Sequence, residues 1–168
     1  QWMLARAHLV KISDEDLALL MPGVGPRAFC DLAVAQGVRL AVVTRGLEGA
    51  VARSAVSTAG VPAVGVDVED TVGAGDTFQA ALLTWLAEQG RLDADGAGAL
   101  DEGGLRQALG FAAAAHAAAV EHRLDRQASH CRRVGLRGLI HLPFAHQQQR
   151  QAQVLVVDEV TQRGIARP

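Results

Sequence analysis

The stretch Asp70-Thr71-Val72-Gly73-Ala74-Gly75-Asp76-Thr77-Phe78 carries residue types that could do chemistry together. An alternating apolar run, Val64-Gly65-Val66-Asp67-Val68, leads into it, and an apolar helix leads out. A strand end, a tight glycine turn and a helix start therefore meet there. Backbone N–H groups at a helix start lack intrahelical partners and carry partial positive charge, so they attract anions. Gly73 and Gly75 let the backbone approach a ligand without interference from a β-carbon. The carboxylate of Asp76 follows directly. Amides that hold developing negative charge, beside a carboxylate that takes a proton, are the parts needed to move a phosphoryl group onto a hydroxyl.

The elements that must position this turn follow from the rest of the chain. His8-Leu9-Val10-Lys11-Ile12 reads as a short buried strand. Ser13 reads as the N-cap of a helix whose first turn holds Asp14, Glu15 and Asp16, where negative charge is favoured. Pro22-Gly23 stops that helix. An acidic turn at a strand's carboxyl end could hold Mg2+ through water, and simple capping is the plainer explanation. A second helix is expected from Pro26 to Gln36, closed by Gly37. Arg39–Thr44 reads as a β-branched strand, Arg45–Gly49 as a glycine-bounded turn, and Ala50–Ser54 as the return strand of a hairpin. Val61–Val68 is expected to be the next strand, running into the glycine turn. The following helix is expected over Thr77–Gln89. Residues 91–98 read as a polar loop whose Asp93 and Asp95 lack the rest of a calcium-binding loop. A last helix starts at Asp101 or Glu102 and runs to Val120, with His116 as a packing residue. This order predicts an α/β protein with a layered sheet of mostly parallel strands. In such sheets ligands sit beyond the carboxyl ends of the strands, where Lys11–Asp16, Thr44–Gly49 and Asp70–Asp76 all fall.

At 168 residues the chain has the length of one domain and can bury a real core. Tyrosine is absent and Lys11 is the single lysine. Cys30 and Cys131 have no metal-ligand spacing and are expected to be reduced and unpaired, which fits a cytoplasmic location. No apolar run is long and charge-free enough to span a bilayer, and no signal peptide is visible, so no membrane partner is expected. The net charge of −2 hides a split. Residues 1–120 carry 8 basic and 14 acidic side chains, which argues against nucleic-acid binding, whereas residues 121–168 carry 8 basic and 4 acidic ones.

These motifs resemble a family. DTVGAGDTF is similar to the C-terminal signature of the ribokinase-like, PfkB-type carbohydrate kinases, which include fructokinases and ribokinases. V-K-I-S-D-E-D-L resembles their strand-turn-helix, V-V-T-R-G-L-E-G their nucleotide loop, and G-F-A-A-A-A-H-A-A-A-V the helix beside their adenine pocket. The resemblance covers roughly residues 8–120. It implies a ribokinase-like α/β/α sandwich, truncated at the N-terminus, that phosphorylates a hydroxymethyl group of a small-molecule sugar with ATP. Asp76 would be the general base, and Gly73, Ala74 and Gly75 would supply anion-hole amides. Thr44, Gly46 and Gly49 would border the ATP phosphates and ribose, and Ala113 would lie near adenine. Ser13 and Asp16 would lie near Mg2+, with Asp16 one methylene shorter than the family's usual Glu. Asp70 and the Val72 carbonyl would border a monovalent cation such as K+.

Two departures from the family pattern shape the expectations. The family's N-terminal half, with most sugar contacts and a water-excluding lid, has no counterpart in these residues, so a non-catalytic nucleotide-binding remnant stands as the alternative. A nucleoside kinase of the same family is another, since the acceptor pocket would lie in that half. A truncated sheet also leaves an edge that invites pairing, so a homodimer is an expected assembly. The second departure begins at Glu121. Residues 1–120 read as the C-terminal portion of a kinase domain, and 121–168 as an atypical basic tail, rich in Arg, His and Gln, with the texture of a frameshifted or disordered segment.

Overall fold

The computed structural model describes residues 4–65 and 74–133. Two apolar, β-branched segments, Leu9–Ser13 (β1) and Leu40–Thr44 (β2), pair in parallel, with Leu9 opposite Leu40 and Ser13 opposite Thr44. Parallel neighbours need a crossover, and the helices Asp14–Leu20 (α1) and Pro26–Ala35 (α2) provide it. Ser13 caps α1 as expected: its Oγ accepts from the Asp16 N–H at 3.1 Å. Pro26 opens α2, where its missing N–H costs nothing.

β2 turns through a 3₁₀ segment, Gly46–Glu48, into Ala50–Ser54 (β3), which runs antiparallel to it. Thr58–Val61 (β4) then pairs antiparallel with β3, completing the order β1-β2-β3-β4. Within the described residues the sheet is therefore mixed, with parallel pairing confined to β1–β2. Of the strand expected over Val61–Val68, only Val61 is in a strand among the described residues, as the last residue of β4. β4 ends at Val61 because Pro62 has no N–H to continue the ladder; residues 66–68 lie outside the described set.

Both faces of the sheet are covered, which gives the layered α/β/α arrangement. On one face Phe29, Cys30 and Ala33 of α2 pack on Val10, Ile12, Ala41, Val43 and Val51. On the other lie Ala74–Glu88 (α3) and Glu102–Arg133 (α5). Phe78, Ala81, Leu82, Trp85 and Leu86 of α3, at helical spacing, meet Leu105, Ala108, Leu109, Ala112 and Ala113 of α5 over Leu9, Leu40 and Val42. The alanines let the two helices approach closely.

Three boundaries differ from the sequence expectation. α3 begins at Ala74, so Gly75 and Asp76 belong to its first turn. The segment expected as a loop over 91–98 contains a short helix, Ala94–Gly98 (α4), capped by Asp93, whose side chain accepts from the Gly96 N–H at 2.7 Å. Asp95 stands in the first turn of the same helix. α5 continues past Val120 to Arg133. No helix of the described residues is long and apolar enough to cross a membrane.

Candidate functional site

Alternation along β1 sends Val10 and Ile12 into the core under α2, and Leu9 into the core under α3 and α5. Lys11 shares the face of Leu9. It is only 3% exposed, and its Nζ lies 2.9 Å from the point where a β-carbon on Gly75 would stand. A buried ammonium is thereby set against the first turn of α3. Burial pushes the Lys11 pKa below its ordinary value, and the carboxylates of Asp16 and Asp76 pull the other way. Among the described residues, the Lys11 side chain forms no ion pair.

Asp16 sits half-buried in the first turn of α1, and Asp76 is exposed in the first turn of α3. The carboxyl end of β1, the start of α1 and the start of α3 thus bring Lys11, Asp16, Gly75 and Asp76 into one neighbourhood. Ser13 joins it through its cap on α1, and Thr44 lies beside Ser13 in the strand register. The Thr44 hydroxyl reaches the Ile12 carbonyl at 3.5 Å.

The Gly46–Gly49 turn is held from within. The Arg45 N–H donates to the Gly49 carbonyl at 2.7 Å, and the Arg45 guanidinium donates to the Glu48 carboxylate at 3.1 Å and to its carbonyl at 2.9 Å. Gly49 has φ +88°, and a β-carbon on it would stand 2.1 Å from the Val61 carbonyl oxygen. That glycine is what lets the turn lie against the end of β4. Ala113, by contrast, is a core residue between α3 and the sheet. Asp70, Val72 and Gly73 lie outside the described residues, as does the side chain of Ala74.

The sequence places Lys11 in the strand-end segment Lys11–Asp16 but gives it no role of its own. Its signal was a lone charge in the middle of the apolar strand Leu9–Ile12, and the only lysine in the chain. A cleft of about 630 Å³ lies elsewhere, at β4 and the start of α2, where Arg27, Arg45, Glu48, Pro62 and Arg106 contribute to its walls. It is open and does not include Lys11, Asp16 or Asp76; the convergence of charged groups, not cavity size, locates the site.

The arrangement fits two kinds of ligand. A buried cation beside a helix N-terminus, which is itself the positive end of the helix, is a mutually repulsive pair that an oligophosphate would satisfy. The Asp16 carboxylate takes no ion pair among the described residues, and the Ser13 hydroxyl retains acceptor capacity beyond its cap, so both fit a hydrated divalent cation. No group of three or more His, Cys, Asp or Glu among the described residues could hold a metal. A cation here would complete its shell with water and phosphate oxygens.

Comparison with known proteins gives a consistent result. The sequence model of the pfkB family carbohydrate kinases matches residues 1–130. A fructokinase of Rhizobium leguminosarum bv. trifolii is 38% identical over 104 residues, covering 62% of this chain and 32% of that protein. Among solved structures, aminoimidazole riboside kinase from Salmonella enterica, complexed with aminoimidazole riboside and an ATP analog, aligns with TM-score 0.56 and 29% identity over 70% of this chain and 38% of its own. Fructokinase from Vibrio cholerae O395, in its fructose, ADP and calcium ion bound form, aligns with TM-score 0.52 and 28% identity over 67% of this chain and 34% of its own. The chain spans about a third of the length of the curated relatives it matches.

Proposed function

Because this chain belongs to the pfkB family of carbohydrate kinases, we propose that it forms the phosphate-binding and base-carrying part of a site that transfers the γ-phosphoryl group of ATP to a sugar hydroxymethyl group. The observation that carries this reading is the meeting of the buried Lys11 ammonium, the first turn of α3 and the Asp76 carboxylate. In the proposed reaction a bond forms between the sugar oxygen and the γ-phosphorus. The bond from that phosphorus to the β–γ bridging oxygen breaks, ADP leaves, and the hydroxyl proton passes to Asp76. The amides of Gly73, Ala74 and Gly75 hold the charge on the transferring group.

Thr44, Gly46 and Gly49 border the rest of the nucleotide in this reading, and Ala113 stands behind the adenine side. Asp16 and Ser13 would hold Mg2+, which when bound neutralises phosphate charge. The bound ATP analog and the ADP with calcium ion in the two similar structures support nucleotide and divalent-cation use. K+ beside Asp70 and the Val72 carbonyl is supported by the motif alone. Fructose is the first acceptor to try, given the fructokinase relatives; the riboside kinase supports a nucleoside-like acceptor as the second. A homodimer and a cytoplasmic location belong to the same proposal, as does the division into a kinase portion over 1–120 and a distinct tail over 121–168.

A second reading is that these residues bind nucleotide without transferring phosphate. The purified chain incubated with ATP, Mg2+ and a panel of fructose, ribose and ribosides separates the two. Sugar phosphate formation supports the kinase, and ATP binding without product supports the second reading. Where turnover is seen, Asp76→Asn is expected to lower kcat by at least about 100-fold while ATP affinity stays within about twofold; an unchanged kcat removes Asp76 as the base.

A further inference from the structure

The two edges of the sheet differ. Among the described residues β1 is paired by β2 alone, and β4 by β3 alone. Leu9–Ile12 of β1 are nevertheless buried, none of them more than 4% exposed. β4 is open: Gly60 is exposed, and Thr58 and Val61 are half-buried. The Ser54 N–H donates to the Ser57 carbonyl at 2.9 Å, and that bond sets the alternation of the β3–β4 ladder. Ala52–Ala59 and Ala50–Val61 are then the pairs that exchange hydrogen bonds, whereas Arg53–Thr58 and Val51–Gly60 are not. Thr58 and Gly60 therefore turn their N–H and C=O groups away from β3, which makes a template for an added strand. Gly60 places no side chain in the way.

This edge is the floor of the open cleft of about 630 Å³, with the start of α2 along one wall and Arg106 of α5 along another. Those two helices cover opposite faces of the sheet, so the edge is recessed between them. A slender extended chain reaches such an edge, whereas the equally walled edge of a second copy is held off. The walls carry three guanidiniums, Arg27, Arg45 and Arg106, and one carboxylate, Glu48. Salt bridges to Glu48 and Glu102 orient Arg45 and Arg106 and leave each with further N–H donors. We propose that the open edge of β4 binds an extended acidic peptide segment of a partner protein by strand addition, with main-chain bonds to Thr58 and Gly60 and peptide carboxylates on the arginine walls. Pro62 ends β4 and so keeps the added strand short. Neither β4 nor Arg27 has a part in the phosphoryl-transfer reading, and the two stand or fall separately.

The probe is the peptide acetyl-Val-Glu-Val-Glu-Val-Glu-amide, added to the full chain. Its lysine counterpart and two N-methylated forms, one methylated at the valines and one at the glutamates, are run beside it. Calorimetry gives the affinities, and NMR gives amide hydrogen exchange residue by residue. The glutamate peptide is expected to bind with Kd below about 1 mM and to slow exchange at Thr58 and Gly60 by at least about tenfold, leaving Ala59 and Val61 within about twofold because β3 already bonds them. An added strand pairs through alternate residues, so one methylated form is expected to lose binding and the other to keep it. The lysine peptide is expected to bind at least about tenfold more weakly, and Arg27→Glu to weaken the glutamate peptide at least about fivefold, with Arg27→Lys within about twofold of wild type. Arg27→Glu puts an acid in the first turn of α2, where it suits the helix and does not threaten the fold. Absence of binding at about 1 mM overturns the proposal. So does binding that leaves Thr58 and Gly60 exchange unchanged, equal binding of the lysine peptide or by Arg27→Glu, or loss of binding in both methylated forms or in neither. Protection of both amides in the chain alone also overturns it. Protection that grows with protein concentration as the sedimenting mass doubles gives the edge to a second copy, and protection independent of concentration gives it to the chain's own residues.

Discussion

The Lys11 ammonium occupies space beside Gly75 that a β-carbon would invade, standing 2.9 Å from where that carbon would be. A β-carbon at position 75 would therefore require the Lys11 ammonium to shift. Gly75→Ala displaces the far end of a flexible side chain, not backbone, so folding stability is expected to change by no more than about 1 kcal/mol. Ligand binding is expected to respond more. ATP affinity should fall by about tenfold or more, because the ammonium and the first-turn amides can no longer face the same phosphate. Denaturant unfolding and calorimetry on the same sample check this; a large loss of stability with intact ATP binding would show that the glycine serves packing instead.

Gly49 presents the opposite case, since backbone surrounds it. Its φ is +88°, and an added β-carbon would meet the Val61 carbonyl oxygen at 2.1 Å and the Pro62 carbonyl carbon at 2.5 Å. Neither can rotate away. Gly49→Ala is expected to cost at least about 3 kcal/mol, from the strained backbone region and the forced separation of the turn from β4. Gly46→Ala, at φ +49° with open space around its missing β-carbon, is expected to cost only about 1 kcal/mol. Urea midpoints of the two variants, compared directly, test the contrast; equal losses would refute the role assigned to the β4 contact.

Local chemistry made much of this fold legible in the sequence. Ser13 followed by three acidic residues marks a helix start, and the Oγ bond to Asp16 is that cap. The hairpin strand Ala50–Ser54 stands where the glycine-bounded turn puts it. What failed to show was set by pairing and burial. Val61–Val68 has the right alternation for a strand, yet the ladder is made by Thr58–Val61, because Pro62 cannot donate and β3 supplies partners only that far. The start of α3 moves a turn earlier because glycine and alanine in the motif accept helical geometry as readily as a turn. The sequence puts Lys11 at a strand's carboxyl end, but its closeness to Gly75 shows only once α3 is known to cover that face. Asp76, the Gly46–Gly49 turn and the acidic cap were legible as residue types near strand ends; the pairing of Ser13 with Thr44 is fixed by the parallel register of β1 and β2.

Ser54 ties the hairpin to the approach of α5. It is fully buried, and its Oγ donates to the Leu100 carbonyl at 2.7 Å while accepting from the Ser57 and Val56 N–H groups at 2.9 and 3.2 Å. Ser54→Ala removes one side-chain oxygen and leaves buried backbone groups without that partner. The expected loss is about 2–3 kcal/mol, seen as a lower urea midpoint with an unchanged slope. A loss under about 0.5 kcal/mol would mean that water replaces the hydroxyl.

Cys30 gives the protein a specific alkaline weakness. Its thiol is packed between α2 and the sheet, with Sγ 3.8 Å from the Ala41 carbonyl oxygen. Burial, reinforced by the Asp31 charge and opposed by Arg53, pushes its pKa up to about 12 from a usual 9.0. The folded thiol thus keeps its proton where the unfolded one loses it. In that window the unfolded state binds fewer protons, so stability falls as pH rises from about 9 to about 12, by up to about 1.4 kcal/mol per pH unit. Below about pH 9 the effect is absent. Cys30→Ala is expected to unfold with a flatter dependence over the same range, and the difference between the two curves isolates the thiol from other titrating groups. In native protein at pH 8, iodoacetamide should leave the Cys30 peptide unmodified, as read by mass spectrometry separately from the Cys131 peptide, and label it fully in urea. Rapid native alkylation of Cys30, or identical alkaline curves for wild type and Cys30→Ala, would contradict the burial that raises its pKa.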